Sequence, residues 1–446
     1  MQDTNSAGSP APAQVGFPVP RRTLLRAAAA LGTVMAVPAL AACGGDEDDG
    51  GGGSGSGDGA GQVTFGSNET GTTFAKQRQA AVADFQSKNP GITVKLNEVD
   101  HNTFQEQINN YLQGNPDDVF SWFAGYRMQF FARRELIGDV SDVWPIDGVN
   151  DSFKAASTGE DGKQYFVPQS YYPWAVFYRK SVWQDRGYTP PKTLDEMVTL
   201  ADKMKGDGLT PIAFADKDGW PAMGTFDILN MRINGYQFHI DLMAGKGSWE
   251  SAEVKKVFTT WQQLLPVHQK DPLGRTWQEA AQTLQQKKAG MYLLGTFLID
   301  QFPQNEREDV DLFNFPVVDP AVGQDAIDAP IDGFCMSAKP KNEAGAKKLL
   351  KYLASPDASA QASSIGEPFI SSNSKSDTSK YTTLQKKSAE LVGSAKNIAQ
   401  FLDRDTRPDF ASTVIIPAFQ EFIKNPNGID ALLKSIESQK KTIFVD

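Results

Sequence analysis

Residues 63–96 read VTFGSNETGTTFAKQRQAAVADFQSKNPGITVKL, and this stretch decides the fold class. Val63-Thr64-Phe65 is a short strand, closed by the polar turn Gly66-Ser67-Asn68-Glu69-Thr70-Gly71. Phe74, Arg78, Ala81 and Phe85 then recur at helical spacing, until Asn89-Pro90-Gly91 breaks the helix. Ile92, Val94 and Leu96 alternate as a second strand. Downstream, Phe104, Ile108, Tyr111 and Leu112 form another apolar helical stripe that stops at Gly114, and Val119–Phe123 is a largely apolar third strand. Strand, helix, strand, helix, strand is the opening of an open α/β sheet.

The habit repeats further on. Gln164–Pro168 and Ala175–Tyr178 read as strands on either side of an aromatic knot, Tyr171-Tyr172-Pro173-Trp174. Thr193-x-x-Glu196 is a capping-box pattern opening a helix with Leu194, Met197, Val198 and Ala201 on one face. Further helices are expected at about 252–266, 277–288, 343–354, 410–424 and 428–439.

At 446 residues the chain is long enough for two sizeable cores, and 40% apolar residues with 10% aromatics is globular composition. A formal charge of −10 argues against a nucleic-acid partner, because phosphates call for basic patches. Two cysteines, Cys43 and Cys335, cannot build a disulfide framework, and Cys335 between Phe334 and Met336 reads as a buried hydrophobe. His101, His239 and His268 show no metal-binding spacing, so no metal or other cofactor is expected. Asp216-Lys217-Asp218-Gly219 half resembles a calcium loop, but Trp220 stands where an oxygen ligand is required, which favours a solvated turn. The chain shows no P-loop, GxGxxG or GxSxG at a strand–helix junction.

Residues 1–42 read as an export signal. Arg21, Arg22 and Arg26 precede an Ala-rich apolar run ending in Leu40-Ala41-Ala42-Cys43, where Cys43 would accept a lipid. Arg21-Arg22 suits twin-arginine export, although the general route stays open. Residues 44–61 are almost wholly Gly, Ser, Asp and Glu, a flexible tether of roughly 20–25 Å reach. The leader contributes +2 and the tether's five acids −5, leaving −7 for the body. The expected location is the outer face of the cell membrane, held through Cys43.

The chemistry-bearing residues are aromatics in polar, turn-rich contexts: Tyr171, Tyr172 and Trp174; Trp122 with Tyr126 and Arg127; and Trp220 ahead of Asp227. A pyranose has an apolar face of C–H groups that packs on Trp or Tyr. Its rim of hydroxyls calls for carboxylates, carboxamides and guanidinium groups. Core packing is the rival reading for each aromatic, and no carboxylate pair stands out as catalytic.

Five segments together carry a resemblance: Phe85–Val94, Asp117–Trp144, Gly162–Pro168, Lys288–Met291 leading to Gly295-Thr296-Phe297, and Ala329–Gly333. In order and spacing over residues 62–446, the chain is similar to the family 1 extracellular solute-binding proteins. These are the carbohydrate-binding subunits of ABC importers, and it is closest to their actinobacterial lipoproteins. The resemblance implies a two-lobe, periplasmic-binding-protein-like α/β fold with several hinge crossings and the ligand between the lobes. Residues 62–172 and 333–372 would form one lobe, and 173–332 and 373–446 the other. It further implies sugar contacts at Asn68, Glu69 and Thr70, at Trp122, and at Phe297, which replaces a frequent Trp. Trp220, Asp227, Asp332, Asp403 and Arg404 would face the cleft from loops, with a surface or hinge salt bridge as the other reading. The expected partners are a sugar, the permease subunits of the transporter and the membrane, with the protein a monomer. A secreted glycoside hydrolase and a binder of another solute remain the rivals.

Overall fold

The computed structural model describes residues 58–366 and 370–445. The export signal, Cys43 and most of the tether lie outside the described residues. Eleven strands are described: β1 (Gly61–Ser67), β2 (Ile92–Glu98), β3 (Val119–Phe123), β4 (Val167–Tyr171), β5 (Trp174–Arg179), β6 (Thr210–Ala213), β7 (Ala289–Gly295), β8 (Val310–Phe313), β9 (Ala326–Asp328), β10 (Ile331–Met336) and β11 (Asn397–Ala399).

The strand–helix–strand opening folds as its pattern demands. Val63 and Phe65 are fully buried in β1, which pairs in parallel with β2 and β3. Thr72 caps the helix Thr73–Lys88, which buries Ala81 and Phe85 and stops before Asn89-Pro90-Gly91. Asp100 caps the helix His101–Gln113, which buries Phe104, Ile108 and Leu112 and ends at Gly114. The first sheet runs β2-β1-β3-β10-β4, with β10 antiparallel to both neighbours. Apolar clusters fill both of its faces.

The second sheet runs β6-β7-β5-β8 and belongs to a separate, larger cluster. The chain leaves the first sheet after Tyr171 and enters the second at Trp174. It returns between Asp328 and Ile331. Ile331 and Asp332 already pair with Tyr171, Ser170 and Phe123 in the first sheet, two residues ahead of the boundary drawn at 333. A small two-stranded sheet, β9 with β11, stands beside this return.

Some local readings shift. The strand expected at Gln164–Pro168 is Val167–Tyr171, because Gln164 instead bridges back to Thr158. The turn at Asp216 is not solvated: the side chain is fully buried and accepts the Ala222 N–H at 2.8 Å, capping the helix Pro221–Asn234. That helix escaped the periodicity reading because it is buried on nearly every side and so has no polar face to alternate with. Cys335 is fully buried, as its apolar neighbours imply.

Gly333 sits at an irregularity of the β10–β4 pairing, where an added Cβ would come 2.1 Å from the Val167 carbonyl oxygen. Backbone cannot yield as a flexible side chain can. Gly333→Ala is therefore expected to lower the free energy of unfolding by roughly 1–3 kcal/mol. Urea titration reads this, and an unchanged midpoint would contradict the packing described.

Candidate functional site

Between the two sheets lies a cavity of about 260 Å³, just under the roughly 300–1,000 Å³ usual for ligand pockets. The ends of β3, β4 and β10 and the turn after β1 supply one wall. Trp174, Trp220, Trp277, Phe297 and the segment after β11 supply the other.

The second wall is aromatic. Trp174 opens β5 and is 2% exposed, stacked on Phe401 at 4.7 Å and 25° with its edge to Trp220. The helix Pro221–Asn234 can lie against this indole only because Gly224 has no side chain: a Cβ there would come 2.3 Å from the Trp174 ring. Trp220, Trp277 and Phe297 close on one another at 5.1–6.3 Å, and Phe297 meets Tyr172 edge-on at 5.5 Å.

Charged groups face it, and Arg404, from the segment after β11, reaches across to them. Arg404 Nη1 donates to Asp332 Oδ1 at 2.8 Å and its Nη2 to the Tyr172 hydroxyl at 3.1 Å, and its guanidinium lies 3.9 Å over Phe123. Burial alone would weaken the Arg404 charge, but Tyr172, Asp332 and Asp403 more than offset it. Burial raises the Asp332 carboxyl above its ordinary range, against the pull of Arg404. Glu69, in the turn after β1, accepts the Thr72 hydroxyl at 3.0 Å, and burial pushes its carboxyl up to about 7. Beside it, Arg127 donates to Gln105 Oε1 at 2.7 Å, so the Gln105 amide donates to His101 Nε2 at 2.6 Å. Asn68 Nδ2 lies 3.4 Å from His101 Nδ1, so a carboxamide faces each ring nitrogen, and burial lowers the pKa of the ring to about 4. Burial raises the Asp300 carboxyl above its ordinary range, and nearby Thr73 and Arg307 offset part of that.

Of the residues singled out in the sequence, Asn68, Glu69, Thr70, Trp122, Tyr172, Trp174, Trp220, Phe297, Asp332, Asp403 and Arg404 line this cavity. Four do not. Tyr171 points to the opposite face of β4 from Tyr172 and packs on Phe153, as strand alternation dictates. Tyr126 opens the helix Tyr126–Ala132 beneath Arg133. Arg127 is spent on Asp403, whose carboxylate it holds at 2.8 Å. Asp227 is fully buried and accepts the Leu402 N–H at 2.6 Å, anchoring the segment that carries Phe401, Asp403 and Arg404. That segment also needs Phe401 at φ 101°, a left-handed conformation costing roughly 1–3 kcal/mol.

Sequence reasoning missed Trp277, Phe401, His101, Asp300 and Arg78 as lining residues. Arg78 lay in the helical stripe of Phe74, Ala81 and Phe85, and a cation inside an apolar stripe was the available signal. Among the described residues no His, Cys, Asp or Glu cluster could hold a metal ion. No described helix is long and apolar enough to cross a membrane.

The raised Glu69 carboxyl makes one pH effect specific. Between about 4.5 and 7 the unfolded chain loses this proton before the folded one does, so stability falls as pH rises through that window. Glu69→Gln removes the titration. Its unfolding free energy should gain on the wild type by roughly 2–3 kcal/mol across the window. Parallel pH profiles would place Glu69 in water.

The bacterial extracellular solute-binding protein model matches residues 80–389. An uncharacterized ABC transporter extracellular-binding protein of Pyrococcus horikoshii is 26% identical over 63% of this chain and 64% of its own length. A multiple sugar-binding protein of Streptococcus mutans is 23% identical over 61% and 66%. The chain thus spans about two thirds or less of the curated relatives it matches. Among solved structures, the bacterial solute receptor AcbH, described as having an exclusive preference for β-D-galactopyranose, is 44% identical. It superposes with a TM-score of 0.84 over 86% of this chain and 99% of its own.

Proposed function

This chain belongs to the bacterial extracellular solute-binding proteins, and from that premise we propose that it captures a sugar outside the cytoplasm and hands it, unaltered, to an ABC importer. The observation that carries the reading is the pairing of an aromatic wall, Trp174, Trp220, Trp277 and Phe297, with a wall of carboxylate and guanidinium groups across one small cavity. A sugar ring needs both surfaces at once, one for its C–H face and one for its hydroxyls. The modest volume supports a cargo of one or two rings, and the galactopyranose preference stated for AcbH supports a monosaccharide.

The proposed cycle is hinge closure. Residues 62–172 with roughly 331–372 act as one lobe, and the remainder of the body as the other. Sugar binds one wall of the open form, and the second wall closes on it. Closure is favoured only by the extra affinity gained when both walls engage, and the closed form is what the permease would detect. Cys43, lipidated, would hold the protein at the membrane, the diacyl group supplying two chains for stable attachment. No chemistry is assigned to the cleft. The Asp332 carboxylate is engaged with Arg404 and that of Glu69 with Thr72, an arrangement for holding hydroxyls rather than for attacking an anomeric carbon.

Calorimetric titration with mono- to tetrasaccharides is expected to find one class bound at a single site. Trp220→Ala should weaken it tenfold or more, and incubation should return the sugar intact. Release of nitrophenol from aryl glycosides, or no binding across the panel, would overturn the reading. Cys43→Ala should move the protein from membranes to the medium, and retention at the membrane would remove the anchor.

A further inference from the structure

Arg78 occupies a position that an apolar residue would fill in most amphipathic helices. It stands in the helix Thr73–Lys88 on the face that buries Ala81 and Phe85, and the whole residue is only 9% exposed. Its guanidinium lies 4.4 Å over the Phe334 ring and 5.3 Å from the Phe65 ring, so two aromatics of the first sheet fix its plane. Burial pulls its pKa down only to about 10, which leaves the group charged at neutral pH. Yet its Nε and Nη1 are buried without a hydrogen-bond partner among the described residues. Glu69 and Asp332 attract it through space, but neither is bonded to it. A buried cation with unpaired donors is rare in a folded protein, because each unmet N–H forfeits the water it gave up. Arg78 also lines the cavity, and since Nε and Nη1 are shut off from it, the nitrogen that can meet a partner there is Nη2.

The surrounding charges narrow what that partner can be. A ligand carboxylate at Arg78 would meet Glu69 and Asp332, and a ligand ammonium would meet Arg78 and Arg404. A neutral hydroxyl meets neither objection, since it accepts from a guanidinium and donates to a carboxylate at the same time. The wall holds two such couples, Arg78 with Glu69 and Arg404 with Asp332. A planar guanidinium holds its N–H groups in a fixed fork, and the two on Nη2 can serve oxygens on neighbouring carbons.

Resting on the sugar-capture reading above, we propose that Arg78 determines specificity. It grips two adjacent hydroxyls of the ring and thereby selects an uncharged sugar with a free vicinal diol over the corresponding uronic acid or amino sugar.

The test is calorimetry on the wild type, Arg78→Met and Arg78→Lys. D-galactose, D-glucose, D-xylose and L-arabinose are titrated first, followed by the monodeoxy, uronic acid and 2-amino forms of whichever binds most tightly. The wild type should bind the parent sugar at least tenfold better than the uronic acid, the amino sugar and one or more of the deoxy sugars. Arg78→Met should lose a hundredfold or more on the parent and no longer distinguish it from that deoxy sugar. Arg78→Lys keeps the charge without the fork; it should fold even if the Met variant does not, and still lose tenfold or more. Variants within threefold of wild type, an unchanged deoxy penalty in Arg78→Lys, or a uronic acid bound as well as its parent would each overturn the assignment of Arg78 while leaving sugar capture standing. If no sugar in the panel binds the wild type, the sugar reading itself falls, and this inference with it.

Discussion

One guanidinium ties the cleft together. Arg404 reaches from the segment after β11 to Asp332, just after the chain returns to the first sheet, and to Tyr172, just after it leaves. A pair of charges drawn out of water is stabilising only where close geometry and further hydrogen bonds offset the lost hydration. Here the pair closes at 2.8 Å, the phenol takes a second N–H, and Phe123 lies beneath the guanidinium plane. The segment bearing Arg404 is itself pinned by β11–β9 pairing, by Asp227 on the Leu402 N–H and by Asp405 on the Gln400 N–H. Those anchors make the left-handed turn at Phe401 tolerable, and that turn brings Phe401 against Trp174. The aromatic wall and the charged wall thus depend on the same short stretch of chain.

This arrangement explains how a sugar-capturing cleft can be selective. The aromatic surface rewards any flat apolar face and discriminates little. The mixed couples of acid and guanidinium reward groups that donate and accept together, a property that hydroxyls have and charged substituents lack. Because Arg404 reaches from the stretch that carries Phe401 to Asp332 of the first sheet, the two kinds of surface meet at one residue.

Much of this was legible in the sequence, and the failures have physical causes. The opening strands and helices declared themselves because each has one apolar face and one wet one. The helix Pro221–Asn234 did not, being buried almost all round. Aromatics in polar turns pointed to the cleft at Tyr172, Trp174 and Trp220, whereas Tyr171, one residue from Tyr172, turned into the core because side chains alternate along a strand. Asp227 and Arg127 were expected to touch the ligand, but they act one step back, holding Leu402 and Asp403. Arg78 and Phe401 were missed for opposite reasons. Arg78 is a polar residue in a stripe read as core, and the backbone strain at Phe401 leaves no trace in composition.

A crystal structure of the protein grown with its tightest-binding sugar tests the account most directly. Electron density for an intact ring between the two sheets is expected, with its flat side against Trp220 and neighbouring hydroxyls toward Arg78, Glu69 and Asp332. Density elsewhere on the surface, or a hydrolysed fragment in the cavity, would contradict it.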